Sequence, residues 1–132
     1  MAFVVLDTDV ASDLFADKPT PSVRRLLVGQ TPCVTFATVG ELLAWPEVGQ
    51  WTLRKRRALD DWLQGAVLRL PYDEEVARAW GRIQGRAMAR GRQRPQNDTW
   101  IAAVCLVRRL PLLTYNQADF ADYVKHEELK LL

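Results

Sequence analysis

Histidine and serine are scarce in this chain of 132 residues, and their scarcity excludes two common kinds of enzyme site. His126 is the one histidine, so a zinc site built on several imidazoles cannot form. Ser12 and Ser22 are the only serines, and with a single histidine they offer no credible Ser-His-Asp arrangement. The groups that remain available for catalysis are carboxylates, hydroxyls and arginine.

Cysteine and long apolar runs are equally sparse. Cys33 and Cys105 are too few for a disulfide framework or a four-thiolate metal site, and Cys105 lies in an apolar helical stretch. We therefore predict two reduced core thiols and a cytoplasmic protein. The apolar run at residues 3–6 has no basic start, and no run approaches the roughly 18 residues of a membrane span, so neither export nor membrane insertion is expected.

The length and composition are those of one globular domain. With 48% hydrophobic and 26% charged residues, residues 1–132 are expected to fold around a single core. The net charge of +2 is unevenly distributed, because residues 54–94 carry eleven Lys/Arg against five Asp/Glu and the rest carries seven against eleven. Fourteen of the eighteen cations are arginines, which suit bidentate phosphate contacts, so a polyanionic partner is plausible.

Short apolar, β-rich runs alternate with helical stretches along the chain. This alternation predicts an α/β fold, a three-layer α/β/α sandwich with a short central parallel sheet. The predicted strands are residues 3–6, 31–36, 67–70 and 112–115, with a possible short strand at 128–132. The predicted helices run from the first strand to Pro19, over 23–28 with Ser22 as cap, from Thr38 to a stop at Pro46, and over 51–63, 73–90 and 97–110.

Four acids fall at or near predicted helix starts. Asp7 follows the first strand and Asp119 follows the last, while Glu41 and Asp98 lie in the first turns of two helices. Taken singly, each can be a helix cap, and Thr38 with Glu41 has the spacing of a capping box. Reactive groups of parallel α/β sheets gather at the carboxyl ends of the strands, and four carboxylates meeting there need a cation. Mg²⁺ or Mn²⁺ fits such oxygen ligands.

Four sequence segments then match a known family in order across the chain. They are residues 6–10 (LDTDV), 38–42 (TVGEL), 98–103 (DTWIAA) and 113–120 (LTYNQADF). In these segments the chain resembles the PIN-domain ribonucleases, and specifically the VapC toxins of bacterial VapBC toxin–antitoxin pairs. Each segment alone is a weak signal, but the four together are specific.

The resemblance implies roles for six site residues. Asp7 and Asp98 match the family's principal metal ligands, and Glu41 and Asp119 match the acids that complete the cluster directly or through water. Thr114 and Asn116 match a polar pair that holds the fourth acid and the hydration shell. Asp9 stands where the family most often has Asn. It either adds negative charge near the site or caps the first helix, and we favour the cap.

The resemblance also implies an activity and its partners. It implies a Mg²⁺-dependent endoribonuclease, with Mn²⁺ as a possible substitute, that cleaves a structured RNA such as tRNA or rRNA by attack of a metal-activated water. It further implies a cognate VapB-like antitoxin, a homodimer and products with a 5′-phosphate and a 3′-hydroxyl. Five arginines near Asp98 could track the RNA backbone or simply form a solvated face: Arg82, Arg86, Arg90, Arg92 and Arg94.

Three other functions compete with the toxin hypothesis. The chain could be a PIN nuclease that processes RNA outside a toxin–antitoxin pair, or a non-catalytic RNA- or partner-binding module whose acids are only caps. Asp7 and Asp9 are also similar to the Asp-x-Asp pair of haloacid-dehalogenase-type phosphatases. Those enzymes need a lysine ahead of a late acidic pair, and the four lysines at 18, 55, 125 and 130 do not suit that pattern.

Overall fold

Four short parallel strands form the centre of the fold in the computed structural model, which describes residues 2–132. The strands are β1 (Ala2–Leu6), β2 (Gln30–Thr35), β3 (Leu68–Leu70) and β4 (Leu112–Leu113). The sheet order is β3-β2-β1-β4. The first strand pairs with β2 from Ala2↔Gln30 to Val5↔Cys33 and with β4 through Val5↔Leu112.

Helices connect the strands and cover both faces of the sheet. Each crossover between parallel strands needs a connection of this kind, which is why helices separate all four strands in the chain. The helices are α1 (Thr8–Phe15), α2 (Pro21–Leu27), α3 (Phe36–Val48), α4 (Leu53–Gly65), α5 (Glu74–Ala89), α6 (Gln96–Arg108) and α7 (Ala121–Glu127), with a 3₁₀ turn at Gln117–Phe120 before α7.

The core lies in two clusters, one on each face of the sheet. Successive side chains of a strand point to opposite faces, and accordingly Val4 and Val5, both fully buried, belong to different clusters. One cluster packs Val5 against α5 and α6, and the other packs Val4 against α1, α3 and α4. The predicted three-layer α/β/α sandwich is therefore confirmed.

Both cysteines lie in the cluster on the α5 and α6 side. Cys33 and Cys105 are free and buried, in agreement with the predicted core thiols. Burial raises the pKa of both thiols, so neither is an activated nucleophile. Among the helices of residues 2–132, none combines the length and the apolar character needed to cross a bilayer.

The prediction that Thr38 opens a helix that stops at Pro46 is wrong at both ends. The helix α3 begins at Phe36, because Thr35 is its cap and accepts a hydrogen bond from the Thr38 N–H (3.3 Å). Pro46 lacks an N–H and was expected to end the helix. It lies in the last turn, where its carbonyl accepts hydrogen bonds from Trp51 N–H (3.0 Å) and from Arg56 (2.9 Å), and the helix runs on to Val48.

Several further boundaries differ from the sequence prediction. The helix α1 ends at Phe15 instead of continuing to Pro19, and α4 covers Leu53–Gly65 instead of residues 51–63. The helix α2 is capped by Thr20 rather than Ser22, since Pro21 occupies its first turn. Strand β4 ends at Leu113, two residues before the predicted end at residue 115, because Thr114 turns toward Asp7. The proposed strand over residues 128–132 is reduced to one bridge between Leu112 and Leu131. The helix α7 was not predicted, because its seven residues are too few for a clear apolar period.

Candidate active site

The sheet topology brings the four predicted acids to one edge. Asp7 directly follows β1, the central strand that pairs with β4, and Glu41 lies on α3, which begins where the neighbouring β2 ends. Asp98 lies in the first turn of α6, and Asp119 lies in the 3₁₀ turn beyond β4. Because all four strands are parallel, the carboxyl ends of β1, β2 and β4 are neighbours.

Asp7 is the most rigidly held of these acids. It is 8% exposed and caps α1, with Oδ1 accepting a hydrogen bond from the Thr8 N–H (2.8 Å). Its Oδ2 accepts a hydrogen bond from the Thr114 hydroxyl (2.8 Å). Burial raises the pKa of Asp7, the two hydrogen bonds oppose that rise, and the charges of Asp9 and Asp119 add to it. The carboxylate is therefore fixed in orientation but costly to ionise.

Glu41 is held by a pair of buried threonines. The Thr8 hydroxyl donates to Glu41 Oε1 (3.0 Å) and lies 3.0 Å from the Thr38 hydroxyl. The capping-box interpretation of Thr38 and Glu41 is therefore wrong, because Thr38 lies inside α3 and its hydroxyl contacts Thr8. Burial is the main cause that raises the pKa of Glu41, and the charges of Asp7 and Asp9 raise it further.

Asp98 experiences the charges of all three other acids. The helix α6 begins after Pro95 without a side-chain cap, so Asp98 is not the cap that its position suggested. Burial, followed by the charges of Asp7, Asp119 and Glu41, raises the pKa of Asp98 to about 6, while Arg94 lowers it. The four acids therefore share one electrostatic site, although they come from four separate elements.

The polar pair Thr114 and Asn116 contacts other acids than the resemblance implied. Thr114 binds Asp7 and in turn accepts a hydrogen bond from the Asn116 N–H (3.0 Å). The Asn116 side-chain amide lies 3.5 Å from Asp9 Oδ2. Only the Asn116 carbonyl contacts Asp119, by accepting its N–H (3.0 Å). The side chains of Thr114 and Asn116 thus lie against Asp7 and Asp9, and the pair contacts Asp119 only through the Asn116 carbonyl.

The interpretation of Asp9 as the cap of the first helix is wrong. Asp7 occupies the cap position, which leaves Asp9 exposed in the first turn of α1. From there Asp9 raises the pKa of both Asp7 and Glu41 by charge repulsion. The Asp that replaces the family's usual Asn therefore adds negative charge to the site.

The donor set suits a hydrated divalent cation. Within residues 2–132, no three acidic, imidazole or thiol side chains are drawn together tightly enough to form a ready-made metal cage. Mg²⁺ does not need one, because it keeps several waters and binds proteins through one or two carboxylates. The acids Asp7, Glu41 and Asp98 are each harder to ionise than an exposed carboxyl, and a cation would relieve that cost.

The five predicted RNA-binding arginines fall into two groups. Arg86 pairs with Glu127 (2.7 Å), and Arg92 and Arg94 approach Asp122 (3.7 and 3.6 Å), so these three connect to α7. Arg82, on α5, and Arg90, which follows the last residue of α5, are exposed and form no ion pair in the described part of the chain. Gln84 was not predicted as a functional residue, although a glutamine four residues after Trp80 on the apolar face of α5 is a detectable anomaly in the sequence.

The comparisons with known proteins match the whole of this architecture. A PIN domain family model matches residues 4–125. Ribonuclease VapC5 of Mycobacterium tuberculosis is 31% identical over 118 residues, which cover 89% of this chain and 84% of that protein. The structure of VapBC-5, a toxin–antitoxin family member from M. tuberculosis, matches with a TM-score of 0.67 and 27% identity over 100% of this chain and 98% of that chain. VapBC-1 from nontypeable Haemophilus influenzae has the same fold, with a TM-score of 0.81 and 22% identity over 98% and 96% of the two chains.

Proposed function

This chain belongs to the PIN-domain family as a VapC-like member, and from that premise we propose that it is a divalent-metal-dependent endoribonuclease and the toxin of a toxin–antitoxin pair. One observation carries the proposal. Asp7, Glu41, Asp98 and Asp119 come from separate parts of the fold into one electrostatic site, in which burial and the other three acids raise the pKa of Asp98 and Arg94 lowers it. Helix capping alone gives no reason for that convergence, since a cap requires only its own helix.

The proposed chemistry divides the work among the acids. A bound Mg²⁺, or Mn²⁺ in its place, supplies polarisation of the phosphodiester and lowers the pKa of an attacking water. Asp7, oriented by Thr8 and Thr114, and Asp98 would hold the ion. Glu41 has a raised pKa and one oxygen occupied by Thr8, which leaves Oε2 to accept the proton of the water. Asp119 completes the cluster on the side of β4.

The proposed substrate is a structured RNA such as tRNA or rRNA, cut to leave a 5′-phosphate and a 3′-hydroxyl. Residues 54–94 carry the excess of positive charge that a polyanion requires. Arg82, on α5, and Arg90, directly after it, have no ion-pair partner within residues 2–132 and are the best-placed candidates for phosphate contacts, while Arg86, Arg92 and Arg94 already bind acids of α7. The cytoplasm is the proposed location, because both thiols are free.

The nuclease activity is tested by cleavage of purified tRNA and rRNA. We expect endonucleolytic products with Mg²⁺ or Mn²⁺ and none in excess chelator, because the acids alone cannot activate water at neutral pH. Restoring Mg²⁺ to the same chelated sample should restore cleavage. A preparation of Asp7→Asn purified in parallel controls for contaminating ribonucleases. Full cleavage in chelator would contradict the mechanism, and no cleavage of any RNA with either metal would favour a non-catalytic binding module.

The toxin role is tested through a partner protein. Relatives of this fold were solved as VapBC complexes, so we propose a VapB-like antitoxin for this chain. We also propose a homodimer of the nuclease, which the family resemblance implies. The product of a small neighbouring reading frame should co-purify with this chain and suppress its RNA cleavage in a dose-dependent manner. Expression of the nuclease alone should arrest growth. If neither effect occurs while RNA cleavage persists, the chain is a PIN nuclease of RNA processing outside such a pair.

A further inference from the structure

Gln84 is a buried amide in the apolar face of α5. Its side chain is 3% exposed among residues of the core cluster that includes Ile83 and Ala87. A buried amide is destabilising unless its hydrogen bonds are satisfied. Gln84 satisfies both of its polar groups on a single residue, donating from Nε2 to the Arg94 carbonyl (2.8 Å) and accepting at Oε1 from the Arg94 N–H (3.3 Å). The amide therefore clamps the backbone of Arg94 in the loop before α6.

The Arg94 side chain in turn contacts the 3₁₀ turn that contains Asp119 and the start of α7. Its Nη2 donates to the Asp119 carbonyl (3.2 Å), and its Nη1 lies 3.6 Å from Asp122 Oδ2. The guanidinium lies 5.9 Å from the centre of the Tyr123 ring. The Arg94 side chain is only 19% exposed, and its Nε is buried without a hydrogen-bond partner. Arg94 thus points at the protein rather than at solvent, unlike Arg82.

The same network continues to Asp98. The Tyr123 hydroxyl lies 2.8 Å from the Thr99 hydroxyl, which also donates to the Pro95 carbonyl (3.0 Å). Thr99 directly follows Asp98 in the first turn of α6. A chain of contacts therefore joins Gln84, the loop that contains Arg94, the start of α7 and the start of α6.

We propose that Gln84 and Arg94 are positioning residues that hold Asp98 and Asp119 together as the second half of the metal site. The inference rests on the proposed function, since it assigns these residues to the divalent-cation site of the nuclease. Asp7 and Glu41 are held by hydrogen bonds to their own carboxylates, whereas no side-chain bond is made to the carboxylates of Asp98 or Asp119 within residues 2–132. The positions of Asp98 and Asp119 therefore depend on how the backbone of α6 and of the 3₁₀ turn is held.

The local structure needs such a support. Asp119 lies in a 3₁₀ turn, a weakly bonded element, after a strand of two residues. The charges of the converging acids would drive the segment outward, and the Arg94 guanidinium offsets that repulsion from within the fold. This role separates Arg94 from the exposed arginines of α5, which face solvent where RNA would approach.

Direct metal binding in the absence of RNA tests the proposal. For Arg94→Met and Gln84→Leu, which keep the side-chain volume, we expect Mn²⁺ measured by titration calorimetry to bind about 10- to 100-fold more weakly than to the wild-type chain. Amide hydrogen exchange over residues 117–120 should become faster in both variants without metal. In RNA cleavage, kcat should fall while KM stays unchanged, and Arg94→Lys should recover part of the Mn²⁺ affinity through its charge.

Arg108→Met is the matched control. Arg108 pairs with Asp73 (2.7 Å) and ties the far end of α6 to the start of α5, so its loss removes an ion pair of similar kind away from the acids. Its Mn²⁺ affinity should equal that of the wild-type chain. If Gln84→Leu fails to fold in a thermal melt, Arg94→Met and Arg94→Lys carry the test.

Two results would overturn the assignment. Wild-type Mn²⁺ affinity in Arg94→Met together with a raised KM would make Arg94 an RNA-binding residue instead. Unchanged affinity, exchange and kinetics would leave Arg94 and Gln84 with a purely structural role. A wild-type chain that binds no Mn²⁺ at all would be a different result, because it would overturn the proposed function along with this inference.

Discussion

Asp98→Asn is expected to reduce RNA cleavage by roughly a thousand-fold or more while leaving a well-folded protein. Asn keeps the shape of the side chain but removes the charge that would hold a divalent cation. Asp98 caps no helix and its carboxylate accepts no side-chain hydrogen bond in the described structure, so its loss breaks no support of the fold. Because ionised Asp98 is partly buried and is also repelled by Asp7, Asp119 and Glu41, the metal-free variant should be more stable than the wild-type chain at neutral pH.

Asp7→Asn should abolish cleavage equally but stabilise the metal-free chain less than Asp98→Asn does. Asp7 caps α1 with one oxygen and accepts the Thr114 hydroxyl with the other, and an asparagine offers only one acceptor. The lost hydrogen bond should cost about 1 kcal/mol of unfolding free energy, which offsets the gain from removing a buried charge whose pKa is raised. Asp60→Asn, an exposed acid on α4, is the control for both variants and should retain full cleavage. Substantial cleavage by Asp7→Asn and Asp98→Asn would refute the carboxylate mechanism.

The stability of the metal-free protein should decrease as the pH rises through the titration of Asp98. The pKa of Asp98 is raised from its ordinary 3.8 to about 6 in the folded chain. Between these values the folded protein holds a proton that the unfolded chain has released, so protonation favours folding and its loss destabilises the fold. The contribution should disappear by about pH 7; the full shift corresponds to about 3 kcal/mol, which solvent screening of this half-exposed carboxyl reduces to about 2 kcal/mol. Mg²⁺ should restore the stability, since it favours the ionised carboxylate.

Chemical denaturation at several pH values measures this effect. The comparison that isolates Asp98 is the difference in unfolding free energy between the wild-type chain and Asp98→Asn, with and without Mg²⁺. Carboxyls outside the four-acid site titrate in the same range and affect both proteins alike, whereas the coupling of Asp98 to Asp7, Asp119 and Glu41 is part of the measured difference. The difference should grow with pH in the absence of metal and shrink when Mg²⁺ is added. A difference that is constant with pH would mean that burial and the neighbouring charges do not raise the pKa of Asp98.

The central architecture could be predicted from local patterns. The apolar run before Asp7 predicts a strand buried on both faces, and the strands and helices alternate as a parallel α/β fold requires. The boundaries were less accurate, as at Pro46 and Thr38, because a proline in a last turn and a threonine inside a helix are decided by their neighbours in space. Strand β4 was overestimated for the same reason, since Thr114 leaves the sheet to bind Asp7.

The candidate site, like the fold, could be predicted only in part from the sequence. The residue types and their positions after strands pointed to Asp7, Glu41, Asp98 and Asp119, because parallel topology alone sends the carboxyl ends of the strands to one edge. No pattern in the sequence indicated that the Thr38 hydroxyl would meet Thr8, or that Gln84 would clamp Arg94. Those contacts depend on how α1, α3, α5 and the loop before α6 lie against each other.

What the sequence by itself determined was therefore the kind of fold and the chemical character of the site. The spacing of apolar residues and the presence of acids instead of histidines are visible in the sequence itself. What only the tertiary structure decided was how each acid is held and charged. Asp7 and Thr114 are 107 positions apart, and burial and Coulomb repulsion, which set the pKa of Asp98, act through space rather than along the backbone.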